Sequence, residues 1–128
     1  MKTLFLALAM AFCLVRAEAA SFSLDGDLTY NVTEPRASFQ LKGKLRNVGT
    51  NSGTLKLVLW ATPKRFPYPG YVVGQVTVGA LPSGYQFTSF TVHTPAKLPA
   101  TTGNYYFTVV IAEYTASGWR NVFAEDNG

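Results

Sequence analysis

The side chains able to do chemistry in this chain are few and scattered along its 128 residues. General acid-base or nucleophilic catalysis needs a positioned base, and the only histidine is His93. It lies in a Thr-Val-His-Thr-Pro stretch without the Ser and carboxylate neighbours that would suggest a triad. Paired carboxylates for glycoside hydrolysis would have to come from Asp25, Asp27, Glu34, Glu113, Glu125 and Asp126. Of these only Glu113 has an apolar setting, where a salt bridge to a nearby Lys or Arg is the simpler expectation. Asp25-Gly26-Asp27 and Glu125-Asp126-Asn127 are oxygen-rich and would meet around Ca²⁺ only if the first and last strands paired; neither has calcium-loop spacing. No catalytic residue, resident metal or cofactor is expected.

What remains is an aromatic series. Strand alternation puts Trp60, Tyr71, Tyr106 and Tyr114 on one outer side of a sheet, with Phe66, Tyr68 and Trp119 in loops or strand starts beside it. Rings in such a row stack on sugars or anchor a protein partner. The competing reading is that loop 64–70 folds back over Trp60 and makes a second small core, since large apolar patches are rarely left open on monomers.

The elements that must position these rings are strands. Ala37, Phe39, Leu41, Gly43 and Leu45 alternate with Ser38, Gln40, Lys42, Lys44 and Arg46, one face apolar and one basic. Leu55, Leu57 and Leu59 alternate with Lys56, Val58 and Trp60, and this stretch, 52–62, should be a central strand. Prolines 63, 67 and 69 cannot continue its ladder, so a loop must follow. Residues 71–78 resume a strand. In 85–94 the apolar parity changes from Phe87 to Phe90, which predicts a bulge near Ser89. The run 104–114 is apolar on both parities and should lie mid-sheet, followed by a last strand over 119–124. The first strand, 21–30, reads as two short edge pieces broken at Asp25-Gly26-Asp27.

About seven short antiparallel strands, broken by turn-rich segments at 47–53 and 94–103, predict an all-β fold: an immunoglobulin-like or fibronectin III-like β-sandwich, with a small closed barrel as the alternative. With 48% hydrophobic and 14% charged residues the chain can build one packed core.

Residues 1–19 have the form of a secretory signal: Lys2, an apolar run, then Ala17-Glu18-Ala19. Residues 20–128 are expected to form a single exported domain, secreted or periplasmic, without membrane insertion once the signal is removed. Its one cysteine, Cys13, falls in the leader, so the domain has no disulfide to rely on. Removing Lys2 and Arg16 from the 11 basic residues and Glu18 from the 7 acidic ones leaves a net charge of +3. That small charge, together with export, argues against nucleic acid as a partner.

Three stretches resemble the bacterial cell-adhesion-related sandwich domain known as CARDB. In residues 45–62 an Asn-x-Gly turn leads through Ser-Gly into the strand ending Leu-Trp-Ala-Thr; in 76–92, Val-x-x-Leu-Pro-x-Gly leads into an aromatic strand. The third runs from Gly-Asn-Tyr-Tyr at 103 to Asn-Val-Phe-Ala-Glu-Asp-Asn at 121. The resemblance implies an exported, non-enzymatic module for adhesion or protein-protein binding at the cell surface or in the periplasm. A carbohydrate-binding module using the aromatic face is the alternative. In either case the expected ligand-binding residues are Trp60, Phe66, Tyr68, Tyr71, Tyr106, Tyr114 and Trp119.

Overall fold

A computed structural model describes residues 19–126, with the side chains of 19–125. The expected leader, Ala19 apart, lies outside them, as does Asn127. Among these residues seven strands form: β1 (Phe22–Thr33), β2 (Arg36–Asn47), β3 (Thr54–Thr62), β4 (Tyr71–Ala80), β5 (Gln86–Pro95), β6 (Tyr106–Thr115) and β7 (Gly118–Asp126). They make two antiparallel sheets, β1-β2-β5 and β4-β3-β6-β7, rather than a closed barrel. β3 and β6 are the inner strands of the larger sheet, as their apolar runs predict.

The facing sides meet in one core. Leu28, Phe39, Leu41 and Leu45 from the smaller sheet pack with Leu55, Leu57, Leu59, Val109 and Ile111 from the larger one, all at most 2% exposed. Across one seam, Thr94 Oγ1 donates to Gln75 O at 2.9 Å and Lys97 N to Val73 O at 3.0 Å, joining the end of β5 to edge strand β4.

Two expectations about β1 are corrected. It is one continuous 12-residue strand, paired with β2 along its whole length. Gly26 lies opposite Gly43, with φ of 128° and 115°, and a Cβ on either would strike the partner strand's backbone carbonyl, so the break signalled by Asp-Gly-Asp is a close crossing of two glycines. Nor do the first and last strands pair: β1 and β7 belong to different sheets, so the premise that would gather Asp25, Asp27, Glu125 and Asp126 around calcium fails. Among the described residues no group of three or more His, Cys, Asp or Glu side chains is placed to hold a metal. The bulge expected near Ser89 is present: the register slips between Leu41 and Lys44, and Ser89 Oγ accepts from Gly43 N at 3.0 Å.

Asn47, read from sequence only as a turn former, is fully buried where three segments meet. Its Nδ2 donates to Thr50 O (2.6 Å) and Leu81 O (2.8 Å), and its Oδ1 accepts from Gly49 N (2.9 Å) and Ser21 N (3.3 Å). Every hydrogen-bonding atom of the amide is occupied, which is what its burial demands.

Candidate functional site

Of the aromatic series, Trp60, Tyr106, Tyr114 and Trp119 lie on the outer face of the four-stranded sheet, and Phe66 and Tyr68 lie in the loop between β3 and β4. Along β3, Leu55, Leu57, Leu59 and Ala61 enter the core, and Lys56, Val58, Trp60 and Thr62 point the other way. β6 lies directly against them, with Lys56 opposite Ala112, Val58 opposite Val110, Trp60 opposite Thr108 and Thr62 opposite Tyr106. Next outward, Tyr114 faces Trp119 across β6 and β7. The centre of this face is closed: Val58, Val110 and Ala112 are no more than 2% exposed, although they point away from the inter-sheet core. Loop 63–70 leaves from one end of β3. Its last residue, Gly70, returns so close to Ala61 O and Thr62 that a Cβ there would collide, which fixes the loop at that end.

The rings divide into two groups. Trp60, Phe66 and Tyr106 are partly buried, whereas Tyr68, Tyr114 and Trp119 are exposed. Tyr114 and Trp119 form an edge-on pair with centroids 5.2 Å apart. Tyr71 does not join them. A register slip between Leu59 and Trp60 sets Tyr71 opposite Ala61, on the core side, where it packs edge-on to Tyr105 at 6.2 Å. Simple alternation, which carries no information about bulges, put it on the outer side.

Sequence reading missed the cations. Lys56 Nζ lies 4.2 Å from the Trp119 centroid, Arg65 4.9 Å from that of Tyr106, and Lys64 Nζ 5.5 Å from that of Tyr68. Each contact is worth ~0.5–1 kcal/mol on an exposed surface, and each takes up one face of a ring. Lys56 also donates to Gln75 Oε1 at 2.9 Å. The signal for Lys56 was available, because it shares parity with Trp60; that for Lys64 and Arg65 was not, because a proline-rich loop has no period.

A second feature was invisible in the sequence. Among the described residues, Trp60 Nε1, Thr62 Oγ1 and Thr108 Oγ1 are buried without a hydrogen-bond partner, and all three belong to adjacent outward positions of β3 and β6. Such groups are rare in folded proteins, and each costs ~1–3 kcal/mol of desolvation when left unpaired.

The other candidates for chemistry lie elsewhere. Glu113 is next to Tyr114 in β6 but on the opposite side of the sheet, across from core residue Leu55, where it is buried; Oε2 accepts from Gly53 N at 2.8 Å and Oε1 lies 3.8 Å from Arg120 Nη2, the salt bridge expected of it. His93 is exposed on β5, opposite Ser38 of β2. Compared with models of protein families, with curated proteins and with solved structures, the chain matches none.

Proposed function

We propose that this protein is an exported, non-enzymatic interaction module of the CARDB-like kind, acting in adhesion or protein-protein binding at the cell surface or in the periplasm. Its working surface is the outer face of the four-stranded sheet, and its ligand is a protein. The observation that carries this reading is the arrangement of that face, a closed apolar centre rimmed by exposed Tyr114, Trp119 and Tyr68 with Lys56 and Lys64 held against the rings. Exposed Tyr and Trp side chains are the residue types that most often anchor a protein-binding surface, with polar and charged groups at its rim. A glycan is the less favoured ligand, because Lys56, Arg65 and Lys64 already lie over rings on which a sugar would stack. The strand distribution supports a fibronectin III-like rather than constant-type immunoglobulin arrangement, since β4 pairs with β3 instead of joining β1, β2 and β5.

The test places a photocrosslinking amino acid at position 119 and, as a control, at position 29 on the other sheet, in protein made by the source cells. A single protein adduct from position 119 alone, lost in Tyr114→Ala, is expected. Equal adducts from both positions would refute the choice of face. Glycan-array binding that disappears in Trp60→Ala and Tyr68→Ala would replace the protein reading with the carbohydrate one.

A further inference from the structure

The opposite sheet carries a separate feature. The outward residues of β2 run Arg36, Ser38, Gln40, Lys42, Lys44 and Arg46. Midway along the strand charge is balanced, because Lys42 faces Asp27 and Lys44 faces Asp25 on β1. The Arg36 end is different. Arg36 lies between Thr33 on β1 and Pro95 on β5, and in the next row Ser38 lies between Asn31 and His93. Two adjoining shallow depressions, of ≈ 360 and ≈ 170 Å³, share Arg36 and His93; Asn31, Thr33 and Ser38 line the smaller.

These five side chains make no hydrogen bond or ion pair among the described residues, and no carboxylate lines either depression. The adjacent acid, Glu34, is engaged elsewhere, accepting from Leu98 N at 3.0 Å. We propose that this corner binds the oxyanion of a sulfate or phosphate monoester. The Arg36 guanidinium supplies a planar fork of donors matched to two oxygens of a tetrahedral anion. The Ser38 and Thr33 hydroxyls, the Asn31 amide and the His93 ring supply further donors on three strands, and the nearest carboxylate, Glu34, lines neither depression and is turned to Leu98 N. Neighbouring Lys42 and Lys44 do not compete for the anion on equal terms, because each has a carboxylate across the ladder.

An amide NMR titration of the whole domain with sodium sulfate, against sodium chloride at matched ionic strength, tests this. Saturable shifts centred on Asn31, Thr33, Ser38 and His93 are expected with sulfate only. Arg36→Gln should weaken the apparent affinity about tenfold, a charged hydrogen-bonding group being lost, and His93→Gln by less. Both residues are exposed, so neither change should disturb the fold. Shifts that fail to saturate, that chloride reproduces, or that survive Arg36→Gln overturn the proposal. With a sulfated heparin hexasaccharide and phosphatidic acid vesicles as probes, binding of the first points to a glycan source and of the second to a lipid one. Binding of neither overturns the site as a biological one.

Discussion

The two outer faces of this sandwich differ in the strand at their middle: β2 alternates buried and exposed residues, whereas β6 is buried on both sides, so one face is wet and the other dry. On the three-stranded sheet, Gln40 sits exposed at the centre between Thr29 and Thr91, and the residues around it are Ser, Thr, Asn and charge pairs. On the four-stranded sheet the equivalent centre is Val58 and Val110, 2% and 0% exposed, with Trp60 in the next outward position of β3. An apolar centre outside the main core that is this little exposed is covered by the chain itself, and beside it Lys56 is held over Trp119 and bonded to Gln75. The same cover is what a partner would meet. The difference therefore separates a face that only has to stay soluble from one built with a dehydrated middle.

The strongest way to break this comparison is to put a charge at each centre. Val110→Asp should cost about 4 kcal/mol or more, enough to unfold much of the population, because the carboxylate has no partner there. Gln40→Asp should cost less than about 1 kcal/mol. Urea denaturation of both variants decides the matter, and similar losses would mean the two faces do not differ as described. Asn47→Ala should follow in size, at about 2–4 kcal/mol, since it strands the Thr50 carbonyl and the Gly49 and Ser21 amides, Leu81 O keeping only Ser52 N at 3.2 Å. A sharper test uses isosteres. Thr62→Val and Thr108→Val should each raise stability by about 1 kcal/mol, because an unpaired buried hydroxyl is replaced by a methyl. Thr29→Val on the wet face should change it by less than about 0.5 kcal/mol. Loss of stability in the buried pair would show that those hydroxyls are satisfied, by water or otherwise.

The smallest effect concerns the interior between the faces. Tyr30 packs edge-on to Phe107 at 5.4 Å, and burial pushes its hydroxyl above the ordinary tyrosine range. The folded state then holds the proton more tightly than the unfolded one. Its contribution is fully present below the ordinary tyrosine value and is lost as pH rises through the higher folded value. Denaturation midpoints measured from about pH 9 to about pH 12 should fall, and Tyr30→Phe should fall less steeply.

Much of the fold was legible because it rests on period. The alternation in 37–46 and 55–60, the apolar run at 104–114, and the prolines at 63, 67 and 69 gave β2, β3, β6 and the loop with small boundary errors. The parity change at Phe87 and Phe90 even located a bulge. The candidate site was less legible, for reasons that show in single residues. Tyr71 was misplaced because the slip beside Trp60 depends on how β4 docks on β3. Asn47 looked like any turn residue until Leu81 and Ser21 were brought to it from distant parts of the chain.

By itself, then, the sequence determined that the chain makes strands, which residues of each strand are apolar, and where the ladder must stop, because these follow from side-chain chemistry and the two-residue repeat of a strand. Only the tertiary structure decided which strands share a sheet, that β1 and β7 stay apart, and that Trp60 lies half covered with its indole N–H unpaired. It also brought Lys56 from β3 over Trp119 of β7, and Arg36 beside His93. Such contacts join residues far apart in the chain, and no local propensity encodes them.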